Sequence, residues 1–291
     1  MSTTLPGSDI SSRNHRAAQA DAQQAASRAQ VEITTPSDEA SAGLIAAAGD
    51  QVWGPRGTFK PNEIRALMHA GDPVHLAQDL NEVHQPVVGF AVGFLGWSPV
   101  LHVHSHQVGV LQGHRRRGIG LALKLAQRQT CLANGITDMR WTFDPLVRRN
   151  VSFNLNTLGA RAAVFHVDFY GVMDDAINGG DATDRLEAVW TLDQPLPARS
   201  ASMGSQAAGI PEGPFLLTDR DGRPELTGEV PCPGALMAVP ADYESLRQQD
   251  RSLSRAWRES SREVLRQSYD MGLRIGRVTP VGYQMIAADE V

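Results

Sequence analysis

The spacing of apolar positions changes several times along the chain, and each change marks the start of a new predicted element. Seven short alternating or continuous apolar runs, bounded by turn residues, predict strands at 31–35, 74–78, 87–95, 101–110, 138–143, 161–165 and 185–192. The clearest helical stripe consists of Ile119, Ala122, Leu123 and Ala126. The predicted order β-α-α-β-β-β-α-β-α-β-β is typical of an α/β domain with a mixed (α+β) sheet.

Capping and turn residues predict where the helices begin and end. Ser37 can cap a helix that runs towards Gly49, and Pro61 stands at the first position of the next helix. A short helix at 150–158 is closed by Gly159.

The composition changes on both sides of this predicted domain. Residues 1–30 are rich in Ala, Gln and Ser and carry almost no large apolar side chain, which predicts a flexible, disordered tail. Residues 193–213 are rich in Pro, Ala, Ser and Gly and predict a linker. A small α+β appendage at 214–291, with one long helix at 241–271, then follows a main domain at 31–192.

Composition and charge narrow the class of protein. Hydrophobic residues make up 42% and charged residues 20%, as in ordinary globular proteins, and the net charge of −5 does not suit a main partner that is nucleic acid. Cys131 and Cys232 are too few for a disulfide framework or a four-thiolate zinc site. The longest apolar stretch, 86–101, is too short to span a bilayer, and the first residues do not read as a signal peptide. We therefore expect a soluble cytoplasmic protein with no nucleic-acid or membrane partner.

A basic, glycine-containing turn separates the strand at 101–110 from the helix that starts near Ile119. Gly118 and Gly120 allow close approach of the backbone, and several N–H groups and the positive helix end then point at one place. This arrangement suits a pyrophosphate; the alternative is a solvated turn at an ordinary helix start. The third glycine of a dinucleotide-binding fingerprint and the Gly-Lys-Ser/Thr of a P-loop are both missing.

The residues Arg115-x-x-Gly118-x-Gly120 resemble the (Gln/Arg)-x-x-Gly-x-(Gly/Ala) signature of the GNAT superfamily of N-acetyltransferases. The element order over about 31–192 is also similar to that fold, in which the turn amides bind the pyrophosphate of acetyl-CoA. The preceding strand of the superfamily is splayed by a bulge and pairs with the pantetheine arm. The resemblance implies an acyl-CoA site formed by Val108, Gly109, Val110, Arg115, Arg116, Arg117, Gly118, Ile119, Gly120 and Asn150.

More narrowly, His104-Ser-His, Trp141-Thr-Phe-Asp-Pro-Leu and Phe169-Tyr-Gly are similar to a poorly characterised bacterial branch of predicted acetyltransferases. Trp257-Arg-x-x-x-Arg262-Glu resembles the C-terminal part of its longer members. Some relatives in this branch are linked to N-acylation of amino acids, including succinyl transfer. The implied co-substrate is acetyl-CoA or another acyl-CoA.

Acyl transfer to an amine needs a base near the splayed strand. By strand alternation His102, His104 and His106 are expected on one face. His104 matches a glutamate base of the superfamily, and the arylalkylamine N-acetyltransferases carry a histidine pair at the positions of His104 and His106. We expect at least one of these two to be the catalytic base. The alternatives are histidines that only bond neighbouring strands, or a zinc site, which the wide spacing along a strand disfavours.

The general acid departs from the superfamily pattern. The usual tyrosine position, four residues before Gly159, holds Leu155, and the resemblance to the bacterial branch makes Tyr170 the candidate acid. Tyr170 could instead be a packing or turn residue. Asn150 matches the asparagine that contacts pantetheine, or else it caps its own helix.

Three charged residues after the fifth strand have two interpretations each. Arg148 and Arg149 could meet a CoA phosphate or an acidic substrate, or they could form a solvated face. Asp144 is expected in a turn, with a contact to the acceptor ammonium as the alternative. The helix at 241–271 is expected to pack on the domain or on a partner subunit, which would suit a homodimer, through Leu246, Leu253, Trp257, Val264 and Leu265.

These features predict a CoA-dependent N-acyltransferase. The amine of a small molecule or amino acid attacks acetyl-CoA, or another short-chain acyl-CoA, directly in a ternary complex without a metal. An amino-acid N-succinyltransferase using succinyl-CoA is one alternative. A non-catalytic acyl-CoA-binding protein is another, because Leu155 replaces the usual acid, and a histidine-bound metal hydrolase is the third.

Overall fold

The computed structural model describes four stretches of the chain, 6–55, 59–171, 181–197 and 210–290. The contacts cluster into two compact units, Met1–Trp141 with Thr191–Gln194, and Thr142–Trp190 with Pro195–Val291. These two units differ from the domains predicted from the sequence, 31–192 and 214–291, and those domain boundaries remain predictions.

The first unit combines a sheet with four helices. The helices are α1 (Pro6–Ala29), α2 (Glu39–Trp53), α3 (Pro61–Ala70) and α4 (Ile119–Ala133). The strands are β1 (Val31–Thr34), β2 (His75–Asp79), β3 (Val87–Gly96), β4 (His102–Val110) and the first residues of β5 (Asp138–Phe143). Strands β1 to β4 pair antiparallel in chain order, whereas β5 pairs parallel to β4. The predicted mixed α/β class is confirmed.

Two buried apolar clusters hold this sheet and its helices together. One cluster joins α2 and α3 to β2 and β3 and contains Ile45, Ile64, Leu76, Phe90 and Val92. The other joins the end of α1 and the start of α4 to the strands and contains Ala29, Val31, Val88, Ile119 and Leu123.

Helix α1 occupies the segment that the sequence predicts as a flexible tail. Ala18 and Ala22 are buried, and α1 packs against α4. Small alanine side chains let two helices approach closely, so the segment buries surface without large apolar residues. Asp21 adds an ion pair with Arg128, whose Nη1 lies 2.8 Å from the carboxylate. The prediction of a flexible segment is therefore corrected for the described part of 1–30.

Lys124 is a buried cation in the interior of this unit. It is 3% exposed, and its Nζ lies 3.3 Å from the centroid of the Trp141 ring and 3.6 Å from Sδ of Met139. Burial lowers the pKa of Lys124 well below its usual value, and the nearby Cys131 opposes this shift only in part.

We expect Lys124→Met to stabilise the fold at neutral pH by about 1–3 kcal/mol, because a thioether fills the site without a buried amine. A lysine whose pKa is lowered by folding destabilises the protein below its unfolded pKa, and the penalty fades as the pH rises towards about 10. Urea denaturation at pH 7 and pH 10 measures this difference. A variant that is less stable than the parent at pH 7 would contradict the expectation.

The second unit contains the remaining elements. The helices are α5 (Arg148–Ser152), which continues into a π-helical turn (Phe153–Thr157), α6 (Tyr243–Gln249) and α7 (Arg251–Asp270). The strands are β6 (Arg161–His166), β7 (Arg185–Thr191, whose last residue belongs to the first unit), β8 (Phe215–Arg220), β9 (Arg223–Leu226), β10 (Leu236–Ala238), β11 (Leu273–Val278) and β12 (Gly282–Ala287). Strand β6 pairs antiparallel with β7, and the last five strands form a sheet in the order β11-β12-β10-β8-β9. Part of the predicted linker, 198–209, lies outside the described residues.

The predicted single helix at 241–271 is two helices, α6 and α7. Asp250 has an extended backbone with φ −141° and ψ 94°, and its carboxylate accepts a hydrogen bond from Leu253 N at 2.9 Å, so it begins α7 as a cap. The buried face of α7 includes three of the predicted residues, but Leu246 and Leu253 are only partly buried, and the remaining positions are polar: Ser254, Arg258, Ser261 and Ser268. None of the helices in the described part of the chain combines the length and hydropathy needed to cross a membrane.

Candidate acyl-CoA site

Strand β4 carries a bulge within its histidine segment. On β3, Val92 and Gly93 are consecutive, but their partners on β4 are Gln107 and Ser105, so His106 is the additional residue. A bulge bends its strand and changes which residues face each side of the sheet.

The change of face is visible on the side of β4 that packs on α4. Before the bulge, Ser105 Oγ donates a hydrogen bond to Gln127 Oε1 of α4 at 2.7 Å. After the bulge, Val108 and Val110 pack into the cluster that contains the start of α4. Odd-numbered residues before the bulge and even-numbered residues after it therefore face the same helix.

The bulge coincides with the end of the pairing between β4 and β5. Val103 pairs with Met139 and His104 with Arg140, and among the described residues no β5 partner is recorded further along β4. The predicted contacts Val108, Gly109 and Val110 lie on this later part of β4, and the predicted acyl-CoA site requires an extended ligand to pair with the strand there.

The turn after β4 ends at the start of α4, where backbone donors have no partner within the helix. Gly118 has φ +90°, and Ala122 N donates to its carbonyl at 3.1 Å as the first hydrogen bond of the helix. The amides of Ile119 and Gly120 precede that bond and have no carbonyl within the helix to bond. A Cβ on Gly120 would meet no atom within 4 Å, so the side-chain position of Gly120 is open. The arrangement suits the pyrophosphate of acyl-CoA.

The three predicted arginines have different surroundings. Arg115 is exposed, and its Nε donates to Val110 O at 3.3 Å. Arg116 is exposed and has a left-handed backbone with φ +67°. The guanidinium of Arg117 instead binds the carboxylate of Asp79.

The structure brings the two predicted catalytic histidines together. The rings of His104 and His106 have centroids 5.7 Å apart, and His104 stacks on Phe94 at 5.1 Å. The ring of His106 also lies 5.2 Å from that of Phe59. His102 is different, because it is buried and its Nδ1 bonds Val100 O at 2.8 Å.

The aromatic surroundings affect the acid–base behaviour of His106. Loss of solvent around the ring lowers the pKa of His106 below its usual value, although the residue is exposed at its edge. The ring is therefore neutral at pH 7 and can accept a proton.

The histidines of β4 do not form the cluster of ligands that the zinc alternative requires. In the described stretches, the group of side chains close enough to share a metal consists of Asp79, Glu82 and His114. Asp79 is already bonded to Arg117.

The remaining predicted site residues lie in the second unit. Tyr170 OH is 2.9 Å from Thr142 Oγ1, and the residue is 40% exposed. Asn150 is exposed and is the third residue of α5, whose cap is Val147, so the alternative role of Asn150 as a helix cap is wrong. Leu155 lies in the π-helical turn that follows α5. The roles of Tyr170 and Asn150 in catalysis and pantetheine binding remain predictions.

The charged residues after β5 bind other parts of the second unit. Arg148 Nη2 donates to Thr279 O at 2.9 Å and to Pro280 O at 2.7 Å, and Arg149 forms an ion pair with Glu244. Arg148 is only partly exposed, whereas Arg149 is largely exposed, as the solvated-face alternative expects.

Asp144 is buried at the turn that was expected for it. Its Oδ1 accepts from Leu146 N at 2.8 Å, and both of its oxygens bond Arg258 of α7, at 2.8 and 2.6 Å. Burial opposes ionisation of this carboxyl, but Arg258 holds the pKa of Asp144 below its usual value. The carboxylate is thus part of a buried ion pair, and its alternative contact with a substrate ammonium has no support here.

We expect Arg258→Met to lower the free energy of unfolding by about 3 kcal/mol, because it leaves the buried Asp144 carboxylate with only Arg185, at 3.7 Å, as a charged neighbour. The double variant Arg258→Met/Asp144→Asn should recover part of this loss. Urea denaturation of the single and double variants measures both values. Equal stability of Arg258→Met and the parent would contradict the expectation.

Three residues of the site had no assigned role in the sequence. Phe59 and Phe94 flank the imidazoles, and Asp79 binds Arg117. The pairing of β3 with β4 could have suggested Phe94, since it stands directly opposite His104. No signal in the sequence pointed to Asp79, which lies 38 residues from Arg117.

Searches for similar proteins return solved structures only. No family model and no curated protein match the chain. YncA from Salmonella typhimurium, solved with acetyl-CoA, is 19% identical with a TM-score of 0.45, over 59% of this chain and 98% of YncA. The ribosomal-protein-S18-alanine N-acetyltransferase of Escherichia coli is 10% identical with a TM-score of 0.45, over 57% and 96%.

A third similar structure is diaminobutyrate acetyltransferase EctA from Paenibacillus lautus, in complex with L-2,4-diaminobutyric acid and coenzyme A. It is 16% identical with a TM-score of 0.43, over 57% of this chain and 97% of EctA. At such identities these similarities by themselves assign no activity to this chain.

Proposed function

We propose that the protein is a CoA-dependent N-acyltransferase that moves an acetyl or other short acyl group to the amine of a small molecule or amino acid. The observation that carries the proposal is the bulge at His106. From there β4 runs on beyond its pairs with β5, Val103–Met139 and His104–Arg140, into a turn whose helix begins with amides that have no carbonyl partner within the helix. An extended arm that ends in a pyrophosphate would satisfy both the strand edge and the helix N-terminus.

In this mechanism the acyl-CoA is a substrate, and the chain supplies binding and proton transfer. The pantetheine arm lies along 106–110 and the pyrophosphate meets the amides from Gly118 to Gly120. His106 or His104 accepts a proton from the acceptor ammonium, directly or through water. The amine nitrogen then attacks the thioester carbonyl, the C–N bond forms as the C–S bond breaks, and CoA leaves as a thiolate that takes up a proton. Tyr170 remains the candidate donor of that proton.

Calorimetric titration with CoA, acetyl-CoA and succinyl-CoA tests the proposal. Binding of an acyl-CoA, followed by release of free thiol when amines are added, supports the transferase. A preference for succinyl-CoA would favour the amino-acid N-succinyltransferase. Binding without thiol release from any amine in a broad panel would favour a non-catalytic acyl-CoA-binding protein, and no binding would refute all three.

A further inference from the structure

Arg117 was predicted to help bind the pyrophosphate, but its surroundings give it another role. We propose that Arg117, Asp79 and the end of α1 together hold the phosphate-binding turn in shape, so that Arg117 is a positioning residue and not a ligand. This inference rests on the proposed function.

The anchor of the turn is the carboxylate of Asp79, the last residue of β2. Its side chain is 2% exposed, and it accepts hydrogen bonds from Arg117 Nη1 at 2.5 Å and from Arg117 Nη2 at 3.0 Å. Asn81 donates to the same carboxylate from its backbone N, at 3.0 Å, and its side chain, at 2.9 Å. The hydrogen bonds from Arg117, and to a smaller extent those from Asn81, hold the pKa of Asp79 far below its usual range. The carboxylate is therefore ionised at neutral pH.

The second contact of Arg117 reaches the N-terminal helix. Arg117 Nη2 donates to Ala29 O at 3.1 Å, at the carbonyl end of α1, where a cation is favourable. Leu80 N donates to Gln30 O at 3.1 Å, which ties the residue after α1 to the residue after β2. The end of α1 and the end of β2 therefore meet at the guanidinium of Arg117.

The backbone on both sides of Arg117 has an unusual conformation. Arg116 has φ +67° and Gly118 has φ +90°, both in the left-handed region. A non-glycine residue keeps this conformation only when its surroundings enforce it. The anchored Arg117 side chain supplies that constraint, and the conformation of Arg116 and Gly118 sets the course of the backbone that leads into α4. Because Asp79 compensates the charge of Arg117, the exposed Arg115 and Arg116 remain as the cations available to a phosphate.

The sign of the effect of Asp79→Asn separates a positioning role from a ligand role. The substitution removes a negative charge beside the turn and loosens the hold on Arg117. If Arg117 were a pyrophosphate ligand, this change would free it and tighten CoA binding. If Arg117 positions the turn, the change weakens CoA binding, and we expect a loss of affinity of about tenfold, equivalent to 1.4 kcal/mol.

The experiment is calorimetric titration of the full chain with CoA at low and high salt, for the parent and four variants. Asp79→Asn, Arg117→Met and Arg117→Lys should all weaken binding, since a lysine restores the charge but not the paired hydrogen bonds. Arg116→Met, the matched neighbour, should weaken binding mainly at low salt, as expected for a charge that acts on phosphate from solvent. Tighter binding by Asp79→Asn, or affinity of Arg117→Lys equal to the parent, would overturn the inference.

Amide hydrogen exchange without any ligand gives a second readout. The amides of Ala122, which bonds Gly118 O, and of Leu80, which bonds Gln30 O, should exchange faster in Asp79→Asn and Arg117→Lys than in the parent and in Arg116→Met. Unchanged exchange would overturn the positioning role even if the parent bound no acyl-CoA. Faster exchange in a chain whose parent form binds no acyl-CoA would instead count against the proposed function alone.

Discussion

Gly120→Glu should abolish acyl-CoA binding while it stabilises the fold. Gly120 is the second residue of α4, its own Cβ would meet no atom within 4 Å, and it is not one of the glycines with positive φ. Replacing a glycine within a helix gains about 0.5–1 kcal/mol. An acidic side chain in the first turn adds about 0.3–1 kcal/mol through the helix dipole. The same carboxylate lies in the space proposed for the pyrophosphate and repels it.

We expect at least a hundredfold loss of CoA affinity, about 2.7 kcal/mol, from this substitution. A variant with lower CoA affinity and higher stability identifies a blocked binding site, because a damaged fold would lower both quantities. Gly120→Ala is the matched control, and it should raise the melting temperature while keeping most of the affinity. Gly118→Glu should also lose binding, but with a loss of stability, because its φ of +90° suits glycine alone. Titration calorimetry and thermal unfolding measure the two quantities, and retained affinity in Gly120→Glu would remove the pyrophosphate site.

The parts of the fold that the sequence predicted are those with local causes. The strand–turn–helix around Gly118 can be read from neighbouring residues, because the glycines and the apolar stripe of α4 lie within one short segment. The order of the eleven elements predicted over 31–192 follows from the same local periods. The fold class needed no long-range contact to be predicted.

The parts that were missed depend on residues far apart in the chain. The anchoring of Arg117 needs Asp79, and the helical state of α1 needs its alanines to meet α4. A bulge in this strand was expected from the resemblance alone; its position at His106 arises from the register with β3, which no pattern on β4 alone reveals. Asp250 ended the predicted long helix because its carboxylate could cap the next one, and a capping aspartate inside a charged helical stripe resembles any other surface charge.

Sequence and structure both indicate the two imidazoles of His104 and His106 as part of the candidate site. Alternation along a strand placed three histidines on one face, but the contacts select His104 and His106 and leave His102 bonded to a backbone carbonyl. The rings of Phe59 and Phe94 lie 5.2 and 5.7 Å from that of His106, and burial lowers the pKa of His106.

Removing both imidazoles should lower turnover much more than it lowers acyl-CoA affinity. For His104→Gln/His106→Gln we expect kcat to fall by about 10²–10⁴, the range for a general base, with Kd for acyl-CoA changed by less than about threefold. Glutamine keeps much of the imidazole volume but cannot accept the proton at neutral pH. The single variants show which ring is the base. The two rings have centroids 5.7 Å apart, so kcat should fall in the variant that lacks the base and stay near the parent value in the other.

The dependence of kcat on pH distinguishes a catalytic base from a packing residue. Because the pKa of His106 is lowered, the neutral base persists at pH 7, and the rate should fall only as the pH drops below about 6.5, the usual histidine value. This acidic limb should disappear from the residual activity of the double variant, while the exposed His84→Gln control keeps both the limb and the rate. Steady-state kinetics from pH 5 to 9, with acceptor amine saturating, measure the profile. An acidic limb that survives in the double variant would assign the base to another group, and an unchanged kcat would make the histidines packing residues.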